Sequence, residues 1–327
     1  MARRFADIDL STLPDLPLGA ETYDAIYTAR MGEIADRLNA VGIPYDVTPL
    51  ATDTYALTEG AGAYRELLVY AARDEAVRSV LLATSRGVWL DYLGAQQVPP
   101  VVRLVLVPAT EQAAAVMEGD EPFRQRIQLA PEALSTCGPE GAYLYFALSV
   151  DGVKTATPYG PMSFGGTPDA PFTPLGCVDV PIVAAAGDGT ASPALVAAVA
   201  AALSADLRRP LADFVRVSPA VIVPYEIEAV LKVGPGTDAA NVQAAATRRL
   251  RAQADRQHRP GAAQLRQMLF GAAYVTDATG AIVVEEVDLR QPAADVNAAS
   301  IVPGSPAAAY RAPYCSRITV TVEVDDG

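Results

Sequence analysis

Residues 119–149 read GDEPFRQRIQLAPEALSTCGPEGAYLYFALS, and this stretch predicts a helix, a turn and a second helix. The first helix is predicted over 120–127, because it opens on acidic residues and continues with apolar residues at helical spacing. Three apolar side chains share one face and are expected in the core: Phe123, Ile127 and Leu129. The other face carries Arg124 and Arg126, which we expect to pair with acidic neighbours.

The turn between the two helices is bracketed by Pro131 and by Gly138-Pro139. A second helix is predicted over 140–148, where the aromatic and small residues of GAYLYFAL follow one another. Because proline and glycine stop one helix before the next begins, this turn fixes the angle between the segments on either side.

Upstream of this stretch the chain reads as mainly helical, with predicted helices at 21–41, 64–82 and 88–93. The third contains the one tryptophan of the chain, Trp89, which we expect in the core because a large aromatic at helical spacing usually fills one. Residues 101–107 predict a strand, and residues 111–118 a further short helix.

Downstream of residue 150 the pattern changes to strands that alternate with helices. Strands are predicted at 153–156, 177–184, 214–217, 223–233, 273–275, 281–287 and 318–324, and helices at 193–203, 238–256 and 262–270. Two stretches rich in proline, 158–176 and 291–313, interrupt the pattern.

Together these segments predict an α+β protein: a helical N-terminal region with an extended arm, followed by two small α+β domains. The expected boundaries are 1–20 for the arm, 21–139 for a mainly helical domain, 140–222 for a middle α+β domain and 223–327 for a C-terminal one.

The arm is expected to be extended because Pro14 and Pro17 disfavour a helix. Its apolar side chains need a surface to lie on, and the candidates for such contacts are Phe5, Leu10, Leu13 and Leu16. Two surfaces remain open: the arm's own domain, or a neighbouring subunit.

Composition restricts the classes of partner. The chain has 327 residues, of which 51% are hydrophobic, and a net charge of −13, so it can bury large cores and repels nucleic acid over most of its surface. Arginines at 248, 249, 251, 256 and 259 form the best candidate for a basic patch. No targeting segment is visible, and the most apolar run, 194–203, is too short to span a bilayer, so we expect synthesis in a bacterial-type cytoplasm.

Catalytic and metal-binding patterns are weak. The three cysteines, Cys137, Cys177 and Cys315, form no CxxC pair and are expected to be reduced and buried. His258 is the one histidine, which excludes a site built on several histidines within one chain. Residues 187–190 read GDGT but belong to no GxGxxG or GxxxxGK[ST] motif, so a tight turn is expected there. We therefore expect no catalytic residue, metal or cofactor.

The stretch 119–149 resembles the signature of the baseplate assembly protein J family of contractile-tailed phages, with FRxRI, LAPEA, GAY and ALS in order. Its signature residues here are Phe123, Arg124, Arg126, Ile127, Leu129, Pro131, Gly138, Gly141 and Tyr143. Further segments are similar to the family in the same order along the chain: FADIDLSTLPDLP, YRELLVYAARDEAVRSVLLA, LDYLGA, GDGTASPALVAAVAAAL, RPLADFVRV, VPYEIEAVL, QHRPG and YCSRITVTV.

The resemblance implies a structural, non-enzymatic protein of the tail baseplate in a virion or a related injection system. The expected partners are other copies of the chain, tail protein I, the lysozyme-like baseplate protein W and the central hub proteins, with no nucleic acid or membrane. Such subunits would form wedges in a sixfold ring that opens to release sheath contraction. The alternatives are a receptor-binding tail protein and, with less support, a cysteine-dependent or nucleotide-binding enzyme.

Overall fold

The computed structural model describes residues 8–14, 16, 18, 19, 21–45, 53–110, 113–135, 139–204, 210, 212–276, 281–299, 301 and 306–324. The chain divides into two compact units, one over residues 7–96 and the other over residues 97–327.

The first unit is helical and contains α1 (Tyr23–Ala40), α2 (Thr54–Ser79) and α3 (Gly87–Ala95). The side chains of Thr22 and Asp53 accept backbone N–H bonds at the starts of α1 and α2, which satisfies donors that a helix N-terminus leaves unpaired. Helix α2 is longer than its apolar pattern predicted, since it begins ten residues earlier.

Helices α1 and α2 are joined by a charged contact as well as by packing. The guanidinium group of Arg30 donates to Glu59 at 2.8 Å and to Glu66 at 3.0 Å, so one arginine of α1 links two turns of α2. The pKa of Arg30 is raised by these two hydrogen bonds.

The expectation of an extended arm is wrong in part. Residues Leu10–Thr12 form one turn of 3-10 helix, in which the Thr12 hydroxyl donates to the carbonyl oxygen of Asp9. This short local hydrogen bond offers the backbone an alternative to the extended form, and Pro14 follows the turn rather than preventing it.

The second unit begins with a small antiparallel hairpin of β1 (Val105–Val107) and β2 (Val116–Met117). The prediction of a helix over 111–118 is therefore wrong, because the second half of that segment pairs with a strand upstream. Helix α4 (Asp120–Leu129) follows, then a 3-10 turn over Ala130–Leu134 and helix α5 (Glu140–Leu148), as the signature stretch predicted.

The middle sheet has the order β3-β4-β5, with β3 (Val153–Ala156), β4 (Cys177–Ala184) and β5 (Phe214–Pro219). Strands β4 and β5 are parallel, and α6 (Pro193–Leu203) makes the connection between them. As predicted, the 187–190 segment is a turn, and the Ser192 hydroxyl accepts from the Leu195 N–H at the start of α6.

The last sheet has the order β7-β6-β8, with β6 (Val221–Val233), β7 (Val284–Gln291) and β8 (Arg311–Val324). Helices α7 (Ala239–Gln257) and α8 (Arg266–Ala273) cover one face, and alternate residues of β6 enter the core beneath them. The buried set includes Ile227, Ala229, Leu231, Val242, Ala246, Leu250 and Leu269.

Two predicted elements of this last region are misplaced. The second helix was expected at 262–270 but spans Arg266–Ala273, so the expected strand at 273–275 lies partly on its last residue. The strand expected at 281–287 is shifted to Val284–Gln291. The α+β class with a helical N-terminal region is nevertheless confirmed.

No helix in the part of the chain that the structure describes combines the length and the apolar character needed to cross a membrane.

Candidate assembly site

Helix α4 carries the signature residues into the core. Phe123, Ile127 and Leu129 are buried, as predicted from their common face. Arg124 and Arg126, on the other face, are buried as well. Both arginines have the acidic partners expected of them.

Arg126 forms a buried ion pair with Glu118, which immediately precedes α4. Its Nε donates to Oε1 at 3.0 Å and its Nη2 to Oε2 at 2.6 Å, a two-point contact with 5% of each side chain exposed. Nη2 also donates to the carbonyl oxygen of Val102 at 2.5 Å, and Glu118 Oε2 accepts from the Leu104 N–H at 3.1 Å. The pair thus ties α4 to the segment before β1.

A second arginine completes this cluster from the strand side. Arg103 donates to the Glu118 carbonyl oxygen at 2.8 Å and to Asp120 at 2.6 Å. Its guanidinium carbon lies 4.7 Å from the centre of the Phe123 ring, and that of Arg126 lies 5.6 Å from the same centre. The guanidinium groups of Arg103 and Arg126 therefore both contact the Phe123 ring, and these contacts hold the first turn of α4 in position.

The turn between α4 and α5 explains one glycine of the signature. A Cβ on Gly141 would overlap the carboxylate of Glu132, so a larger residue there would displace the end of that side chain from the first turn of α5. A carboxylate at a helix N-terminus is also favoured by the helix dipole. Tyr143, one turn further, donates its hydroxyl to Asp213 at 2.6 Å.

The middle and last sheets share a polar junction centred on Asp179 of β4. Its carboxylate accepts two bonds from Arg216 of β5, at 2.5 and 2.7 Å, and one from the hydroxyl of Tyr310 at 2.8 Å. Burial and the bond to Asp179 raise the pKa of Tyr310. Tyr310 immediately precedes β8, so this carboxylate joins the two sheets.

Aromatic packing surrounds that carboxylate. Tyr159 contacts Phe164, Phe172 and Tyr310, with ring centres 5.5 to 6.0 Å apart, and donates its hydroxyl to the Ala309 carbonyl oxygen at 3.0 Å. The proline-rich stretch 158–176 is thus partly core, and it packs against the 3-10 turn Pro306–Tyr310 that precedes β8.

The one histidine lies at the same junction, with 5% of its surface exposed. His258 Nδ1 is 3.0 Å from Lys154 Nζ, and its ring borders the glycine turn at Gly189. Burial, followed by the nearby Lys154 charge, lowers the pKa of His258 to about 4. The ring is therefore neutral at pH 7, a packing residue between modules.

The arm residues occupy intermediate positions. Leu10 and Leu16 are half-buried, Leu13 is 51% exposed, and Phe5 lies outside the described residues, as does the signature residue Gly138. Pro131 is exposed within the 3-10 turn after α4.

The helical unit presents large apolar side chains to solvent. Helix α2 buries only Ala56 and Ala63 among its described residues, whereas several of its large side chains are exposed. The expectation that Trp89 is core is wrong, because 51% of its surface is exposed, beside Tyr92 with 62% exposed. The apolar surface of α2 and α3 is defined by Leu57, Tyr64, Leu68, Val69, Val88, Trp89 and Tyr92.

Cysteine, histidine and acidic residues do not gather into a metal site in the part of the chain that the structure describes. No group of three histidine, cysteine or acidic residues there could hold a metal ion. Cys315 is buried and Cys177 half-buried, both as free thiols, and burial raises the pKa of Cys315. Cys137 lies outside the described residues.

Comparison with known proteins identifies the family. Residues 54–110 match the model of the baseplate J-like N-terminal domain, and residues 135–219 match that of the baseplate J-like central domain. Baseplate protein J of Escherichia phage P2 is 36% identical over 238 residues, which cover 72% of each chain. The chain belongs to the baseplate J family. It is thus a structural baseplate protein of the phage type.

The two baseplate J models coincide with identifiable parts of the structure. The N-terminal match begins at the first residue of α2 and ends just after β1. The central match contains α5 and the whole β3-β4-β5 sheet, together with Asp179 and Arg216. Helix α4 and its buried ion pair lie between the two matches, and the β7-β6-β8 sheet follows the second.

Sequence reasoning missed the residues that join the sheets of this baseplate J chain. Asp179, Tyr310, Tyr159 and His258 come from four separate segments, and no spacing along the chain indicates their contacts. One signal was present: Asp179 is the one acid in the otherwise apolar strand predicted at 177–184, and a carboxylate that becomes buried there requires a partner.

Proposed function

We propose that this chain is a wedge subunit of a contractile tail baseplate, in which it associates with other copies of itself and with tail protein I. Wedges of this kind would form a sixfold ring around the central hub proteins, near the lysozyme-like protein W. The observation that carries the proposal is the family membership, with two baseplate J-like domains in order along the chain.

The exposed apolar surface of α2 and α3 supports an assembly role. Helical faces that carry leucine, valine, tyrosine and tryptophan are usually covered by a partner protein. Covering them is favourable because it removes apolar surface from water. We propose this surface for contact within the wedge. The arm residues Phe5, Leu10, Leu13 and Leu16 are proposed as further contacts between subunits.

The proposed role is mechanical and requires no turnover or cofactor. The ring would hold a closed state and then widen, which releases contraction of the sheath. Asp179 and the aromatic cluster around Tyr159 join the middle and last sheets, so we expect those two sheets to move together. We further propose the four-part division 1–20, 21–139, 140–222 and 223–327 as the units of this assembly, made in the host cytoplasm and retained in the virion tail.

Co-expression with tail protein I and protein W tests the proposal. We expect a complex that contains the chain, recovered by affinity purification on tagged tail protein I. The double variant Trp89→Glu/Tyr92→Glu should reduce that recovery, because it places charge on the exposed apolar surface without entering the core. Arg37→Ala, at an exposed ion pair on α1, is the matched control and should leave recovery unchanged.

Recovery of the chain as a single monodisperse monomer, with neither tail protein bound, would refute the proposal. A wild-type complex that the double variant leaves intact would refute only the assignment of the α2 and α3 surface.

A further inference from the structure

Strand β8 forms one edge of the C-terminal sheet. It is 14 residues long, and in the part of the chain that the structure describes it pairs with β6 on one side and with no strand on the other. A β-bulge near Ser316 interrupts the pairing with β6, after which Arg317 to Val324 continue in regular register. An edge strand presents a row of backbone donors and acceptors to a further strand.

The two edges of this sheet differ in charge. Strand β7 carries four charged residues among its eight, at 285, 286, 288 and 290, which is a usual protection against pairing with another chain. The stretch ITVTVEV at the end of β8 carries one, Glu323, and contains no proline or lysine. The β8 edge therefore lacks the protection that the β7 edge has.

Side chains of α7 already occupy acceptor positions along β8. The amide nitrogen of Gln243 lies 2.6 Å from the carbonyl oxygen of Val320, so this backbone oxygen points away from β6 and accepts an external donor. Because backbone groups alternate along a strand, those of Ile318 and Val322 point the same way. The Gln243 amide marks where a backbone N–H of an added strand would lie.

A groove of about 560 Å³ runs beside this edge, between β8 and α7. Its helix side is formed largely by small residues at helical spacing, Ala240, Ala244 and Thr247, and it ends at Arg248. The groove therefore has room for a second polypeptide segment along β8.

We propose that β8 of one copy pairs antiparallel with β8 of a second copy about a two-fold axis at Val320. The inference rests on the self-association proposed above and names its surface. The sequence of the strand is self-complementary in this register. Arg317 faces Glu323 of the second copy, Thr319 faces Thr321, Ile318 faces Val322, and Val320 faces itself.

The register is chosen by charge and by the bulge. In this register, residues 317–323 of one copy pair with residues 317–323 of the other. Arg317, the one cation of this segment, then faces Glu323, its one anion. Arg317 already contacts Glu226 of β6 at 2.5 Å, so in the pair it would lie between two carboxylates. Shifting the centre by two residues in either direction removes the contact between Arg317 and Glu323.

The same axis brings the two α7 helices together. Because α7 crosses the axis near Gln243, the helices run antiparallel across the groove, and the small residues allow a close approach. Arg248 of one copy then approaches Asp238, the N-cap residue of α7 in the other. In each copy, the positive charge of Arg248 in the groove thus lies near the negative charge of Asp238 at the start of α7 in the other copy.

Charge reversal at the facing threonines tests the pairing. Thr319 and Thr321 are both exposed, so substitution should preserve the fold. Thr319→Lys/Thr321→Lys should raise the dimer dissociation constant about tenfold, because like charges face each other in two symmetric pairs. Thr319→Glu/Thr321→Glu should do the same, and an equimolar mixture of the two variants should restore dimers at wild-type strength. Sedimentation velocity measures all three.

The register has a separate test by disulfide formation. Residues 319 and 321 would form non-hydrogen-bonded pairs, in which Cα atoms lie about 4.5 Å apart and a disulfide can form. Mixed Thr319→Cys and Thr321→Cys chains should cross-link under mild oxidation, faster than either variant alone. Thr276→Cys in the same unit is the control and should not cross-link.

The outcomes separate this inference from the wedge proposal. A wild-type dimer that both charge variants leave intact, or that an equimolar mixture fails to restore, refutes the β8 pairing while self-association stands. A chain that is monomeric at all concentrations also refutes it, and recovery with tail protein I then decides the wedge proposal separately. Loss of the dimer on deletion of residues 1–16 would assign the groove to the arm of a second copy instead.

Discussion

Glu118 and Arg126 form a two-point ion pair with only 5% of each side chain in contact with solvent. The arginine belongs to the signature helix α4, and the glutamate precedes it next to β2. Because the same carboxylate also accepts the backbone N–H of Leu104, this pair connects α4 to the segment before β1.

Breaking this pair should be costly. Arg126→Ala leaves the Glu118 carboxylate buried without its partner, so we expect the free energy of unfolding to fall by about 3–5 kcal/mol. Urea denaturation followed by circular dichroism measures the change. Arg290→Ala removes an exposed ion pair in the same unit and should cost less than about 1 kcal/mol. Equal effects of the two substitutions would contradict the structural role of the pair.

Gly141 and Glu132 should behave as a coupled pair. Gly141→Ala forces the Glu132 carboxylate away from the start of α5, and we expect a loss of about 0.3–1 kcal/mol because the helix N-terminus loses a nearby anion. In a chain that already carries Glu132→Ala the same substitution should cost less, because the group that the new methyl meets has been removed. A double-mutant cycle measures the coupling, and strictly additive effects would show that the two residues do not meet.

His258 should make stability depend on pH. Its pKa falls from 6.5 to about 4 in the folded chain, so between these values the unfolded chain binds more protons than the folded one. The contribution of the neutral ring is complete above pH 6.5 and is lost as the pH falls through 4. The charged groups around the ring are Lys154, Asp255 and Asp188, of which Lys154 opposes protonation.

The variant His258→Gln measures this contribution. The difference in unfolding free energy between wild type and variant should decrease by about 2–3 kcal/mol from pH 7 to pH 4. Carboxylates elsewhere titrate in both proteins and cancel in the difference. A difference that stays constant across this range would mean that the ring is as accessible to protons in the folded chain as in the unfolded one.

Trp89 provides a direct signal of assembly because it is the one tryptophan of the chain. Its exposed indole should give the red-shifted fluorescence of a solvated ring in the free protein, and the emission should shift to the blue when tail protein I covers α3. Titration of tail protein I followed by fluorescence makes the measurement. An unchanged spectrum on formation of a complex would place the contact elsewhere.

The sequence predicted local features well and long-range contacts poorly. Phe123 and Ile127 were placed in the core correctly, because they lie one turn apart on the same helical face. Leu129 is also buried, although it lies on the opposite side of α4 from Ile127. Trp89 was placed wrongly, since helical spacing shows that residues share a face but not whether this chain or another one covers that face.

Strand pairing explains most of the remaining errors. The segment 111–118 was expected to be a helix, yet Val116–Met117 pairs with Val105–Val107, a contact that no local propensity encodes. The junction at Asp179 was likewise out of reach, because its partners Arg216 and Tyr310 lie 37 and 131 residues away.

Electron microscopy of tail particles with a label on this chain is the most direct test of the wedge role. The label is expected in the baseplate, repeated in a ring of sixfold symmetry around the hub. A label found along the tube or on distal fibres, or absent from the particle altogether, would contradict it.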